Sequence, residues 1–290
     1  MNDACTCHGP AASFLQTRAQ ITAHEPASSR YFLLRLRCPE IARRAQPGQF
    51  VMLACAPDTS AGNGEPLLPR PLAILDARGD EIELLYFVAG RGTEILHRHA
   101  VGQTSGADMP ALPLRIIGPL GRGFEPIPNV DAHVAVGGGS GVAPLVFFFR
   151  RFAVGPAWHL ILAARSADQL VREDIIKTPG TLHCATDDGS AGHRGTGVDA
   201  LTALLAGPLK GVRAGIYAAG PDPMMRAAAQ VARRLGLPCR VSLEQRMACG
   251  VGVCRACVVD GASPHEKTGL ARRTVCQDGP VFDIDELKGW

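Results

Sequence analysis

The chain has no apolar run near the roughly 18 to 20 uncharged residues that a membrane-spanning helix needs. The best candidate, Val142 to Phe149, ends at Arg150 and Arg151 and reads as a buried helix. Met1 to Pro10 carries neither the basic start nor the apolar core of a secretory signal, so a cytosolic protein is expected. Charge of one sign is lacking too. A net +3 from 30 basic and 27 acidic residues, scattered among one another, gives no basic face for nucleic acid. No internal repeat or low-complexity tract is visible.

Cysteine is what the chain has in quantity. Ten cysteines in a cytosolic protein are not expected to form disulfides, because that compartment keeps thiols reduced; clustered ones more often bind metal or carry redox chemistry. With 46% hydrophobic residues over 290 positions, there is apolar surface for two domains and a small appendix.

From Phe14 to Pro126, short apolar runs broken by Pro, Gly and Asp predict an antiparallel barrel or sandwich: Tyr31 to Leu36, Phe50 to Ala54, Ala73 to Leu75, Ile82 to Val88. Glu125-Pro126-Ile127-Pro128-Asn129 cannot continue a strand or helix, since its two prolines lack the backbone donor, and marks a boundary. Over 127–240 strands alternate with helices: strand His133 to Val136, helix Pro144 to Phe152, strand His159 to Ala164, helix near Ala167 to Ile176, strand Gly215 to Ala218, helix Met224 to Leu235. That rhythm predicts a doubly wound parallel sheet. The remainder, 241–290, has little helical period, much glycine and a cysteine cluster, and reads as a small metal-held domain. Residues 1–13 are expected to be a disordered extension, and Cys5, Cys7 and His8 within it lack a fourth ligand.

Cys249, Cys254 and Cys257 stand as C-x4-C-x2-C, with Cys276 following after eighteen intervening residues. This is the plant-type [2Fe-2S] spacing. Gly250 and Gly252 suit a loop that must turn its amides toward sulfur, with positive backbone angles. Structural zinc is the rival, but it favours two C-x2-C pairs, and the position three after Cys276 is Gly279. Cys38, Cys55, Cys184 and Cys239 lie in or beside apolar segments and read as small buried hydrophobes.

Gly137-Gly138-Gly139-Ser140-Gly141 follows a strand and precedes a helix with proline in its first turn, a place where free amides bind pyrophosphate; tight packing alone is the bland alternative. Gly220-Pro221 ends a later strand of the same sheet and is either a nicotinamide contact or an ordinary turn. In the barrel half, Arg70 between two prolines offers a guanidinium fork to a phosphate, and Gly90-Arg91-Gly92-Thr93 opens a helical stretch as a second cradle.

An R-P-x-x strand, a G-G-G-x-G-x-x-P loop and G-P-x-P-M, in that order, resemble the ferredoxin-NADP reductase superfamily. Within it, the tail from Ser242 to Cys257, Val275 to Phe282, Gly118 to Phe124 and Thr186 to Ser190 resemble the electron-transfer subunits of class 1B dihydroorotate dehydrogenases. The resemblance implies an FAD-binding barrel over 14–126, an NAD-binding α/β domain over 127–240 and a [2Fe-2S] domain over 241–290. It implies that Arg70, Pro71, Leu72, Ala73, Leu85, Tyr86, Phe87, Gly92 and Thr93 hold FAD, that Gly137 to Gly141 hold the pyridine dinucleotide, and that Cys249, Cys254, Cys257 and Cys276 hold the cluster. It further implies an FMN-containing dihydroorotate dehydrogenase catalytic subunit as partner in a 2:2 heterotetramer, electrons passing from that FMN through cluster and FAD to NAD+ in pyrimidine biosynthesis, and no acid or base from this chain. Two departures stand out: Ala73 replaces the family serine, and the gap between Cys257 and Cys276 is lengthened around Pro264 to Thr268. A related NAD(P)H-linked ferredoxin or sulfur-metabolism reductase subunit shares these features, and Arg165 after the strand His159 to Ala164 could accept the 2′-phosphate of NADP.

Overall fold

A computed structural model describes residues 14–57, 68–104, 112–155 and 157–290. The expected extension 1–13, with Cys5, Cys7 and His8, lies outside them. The first half is a closed antiparallel barrel of β1 (Leu15–Pro26), β2 (Tyr31–Arg37), β3 (Phe50–Leu53), β4 (Arg70–Arg78), β5 (Glu81–Phe87) and β6 (Leu114–Leu120), in the order β1-β2-β5-β4-β3-β6. A one-turn helix α1 (Pro39–Ala42) follows β2, and α2 (Arg91–Thr104) places Leu96 and Ala100 in the barrel core. Strand alternation sorts the side chains. Leu34, Leu36, Ile74, Ile82, Leu84 and Tyr86 fill the inside, while Leu33, Leu75 and Leu85 face out to the second half.

The second half runs β7 (Ala132–Gly138), α3 (Val142–Phe152), β8 (Trp158–Ala164), α4 (Glu173–Ile176), β9 (Thr181–Thr186), β10 (His193–Arg194), α5 (Gly197–Ala206), β11 (Ala214–Ala219), α6 (Asp222–Leu235) and β12 (Cys239–Ser242). The last segment adds the hairpin β13 (Val258–Asp260) and β14 (Arg272–Thr274), then β15 (Val281–Asp283). The sheet order is β10-β9-β8-β7-β11-β12-β15, all parallel except β15. The cysteine segment is therefore sewn into the larger sheet by its final strand. One apolar cluster joins all three regions, with Phe50 and Met52 of the barrel, Val134 and Ile216 of the sheet, and Cys257 and Cys276.

α3 is buried from Val142 through Phe149 and is wedged between sheet and barrel; the sequence expectation of a buried helix holds. Its Arg150 reaches back to Asp76 of β4 at 2.7 Å, a pair buried at both ends. The helix expected near Ala167 to Ile176 needs correction. Only a 3-10 turn at Ala167–Gln169 and the four-residue α4 form there. The barrel is the cause: Ser29 donates its amide to the Asp168 carbonyl and Arg172 donates its own to the Ala27 carbonyl. Leu170 and Arg172 consequently take extended ψ angles of 136° and 138°, which a continuous helix forbids.

Candidate functional site

The cysteine loop is shaped by left-handed residues. Gly250 (φ 73°), Gly252 (φ 82°) and Arg255 (φ 54°) turn the chain between Cys249 and Cys257, as the sequence expectation for the two glycines required. The turning aims amides at sulfur. Val251 and Cys254 each donate to Cys249 Sγ at 3.4 Å, Gly252 donates to Cys276 Sγ at 3.1 Å, and Cys276 donates to Cys257 Sγ at 3.4 Å. Burial opposes the Cys249 thiolate, yet the amides of Cys254 and Val251 and the Cys254 side chain outweigh it and lower the thiol to about 7. The contact between Cys257 and Cys276 favours the thiolate on Cys257, lowering it to about 6, and raises Cys276. Cys249 is thus in contact with Cys254 and Cys257 with Cys276, while among the described residues no three such side chains converge as they would on a single metal ion. Thiolates stabilised by amides are the donors an iron-sulfur cluster requires, and those amides are the sulfur hydrogen bonds that tune it.

Cys257 and Cys276 are buried, whereas Cys254 faces solvent beside Val253, which is 81% exposed. Eighteen residues form the gap between Cys257 and Cys276. The hairpin β13–β14 closes it, and the tip is pinned by His265 Nε2 against Asp278 Oδ1 at 3.1 Å and by the Gly269 amide on the His265 carbonyl. Cys38, Cys55 and Cys239 are free and buried, with thiols raised by burial, and Cys184 is half-buried.

In the barrel, Arg70 at the start of β4 meets the first turn of α2. A Cβ on Gly92 would lie 2.5 Å from the Arg70 guanidinium, so the guanidinium rests against the bare backbone of the helix N-terminus. Thr93 Oγ1 accepts the amides of Ala89 at 2.8 Å and Gly90 at 3.2 Å and donates to the Gly90 carbonyl, locking the turn. A guanidinium beside a helix N-terminus is an anion seat. Leu85, Tyr86 and Phe87 do not form one surface. Leu85 and Phe87 face outward, but Tyr86 points inward, its hydroxyl 2.9 Å from His24 Nε2 and 3.4 Å from His97 Nδ1. Pro71 and Ala73 lie opposite Met52 and Phe50 in the β3–β4 register, and so on the outward face, while Leu72 packs inward.

The two glycine turns of the α/β half are in contact. β7 and β11 are sheet neighbours, with Ala219 in register with Gly137, and a Cβ on Gly220 would stand 2.7 Å from the Gly138 carbonyl. A Cβ on Gly138 would stand 3.1 Å from Pro221. Gly137 and Gly138 continue β7, and Gly139 (φ 60°), Ser140 and Gly141 make the 3-10 turn into α3, whose first turn has no side-chain cap.

Two residues missed by sequence reasoning complete this crevice. Tyr31, at the head of β2, brings its hydroxyl to Gly139, where a Cβ would be 2.6 Å away, and sets its ring edge-on to Phe87 at 5.7 Å. Glu244 accepts from Ser140 Oγ at 3.5 Å. Glu244 is exposed, yet desolvation by the surrounding protein raises its carboxyl despite the Ser140 bond. It also borders a 570 Å³ cavity with Gly220 and Pro221. No local pattern marks Tyr31, and the tail that contains Glu244 gives no sign of its contact with Ser140, because each residue meets its neighbour across the fold.

Residues 244–288 match the model of the iron-sulfur cluster binding domain of dihydroorotate dehydrogenase B. The chain is 33% identical over 269 residues to the dihydroorotate dehydrogenase B (NAD(+)) electron transfer subunit of Desulforamulus reducens, covering 91% of this chain and 95% of that one. It is 34% identical to the probable electron transfer subunit of Methanopyrus kandleri, covering 93% and 91% respectively. Among solved structures, an NADH-dependent reduced ferredoxin-NADP oxidoreductase superposes with TM-score 0.76 at 27% identity over 94% of this chain and 90% of that one. The ferredoxin reductase of carbazole 1,9a-dioxygenase shares the fold at TM-score 0.59 and 20% identity, over 79% of this chain and 68% of that one. With 33% and 34% identity over 91% and 93% of its length, this chain belongs to the family of dihydroorotate dehydrogenase B electron transfer subunits.

Proposed function

We propose that the chain carries one FAD and one [2Fe-2S] cluster and passes electrons from the FMN of a dihydroorotate dehydrogenase catalytic subunit to NAD+. The observation that carries the reading is the set of backbone amides turned onto three of the four cysteine sulfurs, Cys249, Cys257 and Cys276, behind the outward face of β3 and β4. Two thiolates per iron is the ligand set of a two-iron cluster. Cys249, Cys254, Cys257 and Cys276 would hold it, with Cys254 at the solvent edge where a partner can dock.

Arg70 and the α2 N-terminus would hold the flavin pyrophosphate, with Pro71, Ala73 and the outward residues Leu85 and Phe87 as the seat of the ring. Ala73 offers that ring a methyl where the resembling family has a hydroxyl. The touching turns Gly137–Gly141 and Gly220–Pro221 would take the pyridine dinucleotide. When bound, the flavin supplies the exchange between single electrons and hydride that cluster and nicotinamide each lack. The residues of this chain bind, orient and exclude water. Ser140 and Glu244 stand where the nicotinamide end would approach, and Tyr31 closes the crevice from the barrel side.

A second reading, a reductase subunit serving ferredoxin and NADP, is favoured by the 0.76 superposition and by Arg165 directly after β8. One experiment separates the two. The chain is combined with an FMN-containing dihydroorotate dehydrogenase subunit, and dihydroorotate-dependent reduction of NAD+ and of NADP+ is measured alongside reduced-ferredoxin-dependent reduction. Formation of NADH from dihydroorotate supports the proposal; reduction of NADP+ by ferredoxin alone overturns it in favour of the second reading.

A further inference from the structure

Between the cysteine loop and the strand that seats the flavin stands one side chain to which the chemistry above gives no role, Met52. β3 alternates sharply. Val51 and Leu53 belong to the barrel interior, whereas Phe50 and Met52 belong to the core that contains Cys257, Val275 and Cys276. Met52 is wholly buried. In the antiparallel register it stands opposite Pro71, and Phe50 stands opposite Ala73. Directly opposed residues project from the same face of a sheet, so Met52 shares the outward face with Pro71 and Ala73.

On its other side Met52 touches the loop. A Cβ on Gly250 would overlap Met52 Cγ, come within 2.9 Å of its Sδ, and stand 3.3 Å from Leu120. Gly250 follows Cys249 directly and holds φ 73°. The thioether therefore fills the space between β4 and the backbone of the loop at its first cysteine. An unbranched, polarizable methionine is suited to such an irregular gap, and a smaller residue leaves a void there and removes the loop's support at Gly250.

We infer that Met52 is a positioning residue for electron transfer: it wedges the cysteine loop against the outward face of β3 and β4 and thereby sets the separation between cluster and flavin. This rests on the assignment of the four cysteines to a cluster and of Arg70 to Ala73 to the flavin. Met52 itself binds neither group. Its effect is geometric: electron transfer between two cofactors weakens as the gap between them widens or empties, so a loop no longer held against the strand would pass electrons more slowly.

The test uses the full chain purified anaerobically, as wild type, Met52→Ala and Met52→Leu, with iron and flavin content determined first. Stopped-flow mixing with NADH then separates flavin reduction from the later reduction of the cluster, and hydrogen exchange over 249–254 reads the loop directly. Met52→Ala is expected to keep its cofactors and its rate of flavin reduction, to slow cluster reduction severalfold, and to exchange faster over 249–254. Met52→Leu is expected to restore the second rate and the protection. Unchanged cluster reduction in fully loaded Met52→Ala overturns the inference. So does loss of cluster with a normal rate in the loaded fraction, or an equal slowing of flavin reduction, since each marks a merely structural role. A wild-type chain without flavin or iron would instead overturn the underlying assignment, a result distinguishable before any variant is made.

Discussion

Gly141→Ala makes the contact between the two glycine turns measurable. Gly141 has φ −64° and ψ −11°, ordinary helical values, so alanine brings no backbone strain there. In open space the exchange would stabilise the fold by about 0.4–1 kcal/mol, by restricting the unfolded chain. Space is missing: the new Cβ would overlap the Ala219 carbonyl and the Gly220 amide, which are backbone atoms and cannot swing aside. Overpacking of this kind costs about 1–3 kcal/mol, so the steric effect wins and a net loss of about 1–2 kcal/mol is expected. At about 2–4 °C per kcal/mol, the melting temperature should fall by several degrees. If the turns relieve the overlap by parting, NADH must close them again, and its dissociation constant should rise about 5- to 30-fold. Gly102→Ala in α2 is the matched control, since nothing lies within 4 Å of its Cβ position, and it should stabilise slightly. Differential scanning calorimetry and fluorescence titration with NADH read both quantities. Equal stability and equal NADH affinity in Gly141→Ala would refute the packing of the two turns.

Arg70→Ala should weaken FAD binding about tenfold or more while sparing the apo fold, because a charge-assisted hydrogen bond contributes about 1.5–3 kcal/mol; equilibrium dialysis of the flavin checks it. Cys254→Ser and Cys276→Ser should each lose iron and visible absorbance beyond the flavin, whereas Cys38→Ala, at a buried free thiol, should keep its iron. His24, half-buried against Phe32 and beside His97, is lowered to about 4, first by desolvation and then by His97. A histidine lowered in the folded state binds fewer protons there than in the unfolded chain. Its contribution is full above the ordinary value near 6.5 and is lost as pH falls from there toward 4. Denaturant midpoints of wild type and His24→Gln, followed from pH 7 to pH 4, should diverge, with the variant the less sensitive to acid.

What could be read from the sequence is what is local. The cysteine spacing, the positive-φ glycines at Gly250 and Gly252, and the strand-to-turn-to-helix passage after His133 all depend on neighbours within a few residues, and each stands in the structure as expected. The helix at Ala167 to Ile176 failed because its backbone amide and carbonyl groups are taken by Ser29 and Ala27, from another domain. Tyr86 could not be assigned a side from its motif, since strand alternation decides it, and the strand turns the phenol toward His24. Met52 and Tyr31 carry no motif, and Glu244, though it lies in the tail from Ser242 to Cys257, carries no sign there of its contact with Ser140. Their importance arises only where barrel, sheet and cysteine loop meet, and the boundary expected at 240/241 runs through β12 while β15 ties the last segment back into the sheet.

The metal and flavin content of the anaerobically purified chain, followed by its visible spectrum during titration with NADH, tests the electron-transfer role most directly. About one flavin and two irons per chain are expected, with flavin bands and iron-sulfur absorbance both bleached by NADH. A colourless chain holding a single zinc ion, or flavin without iron, would contradict it.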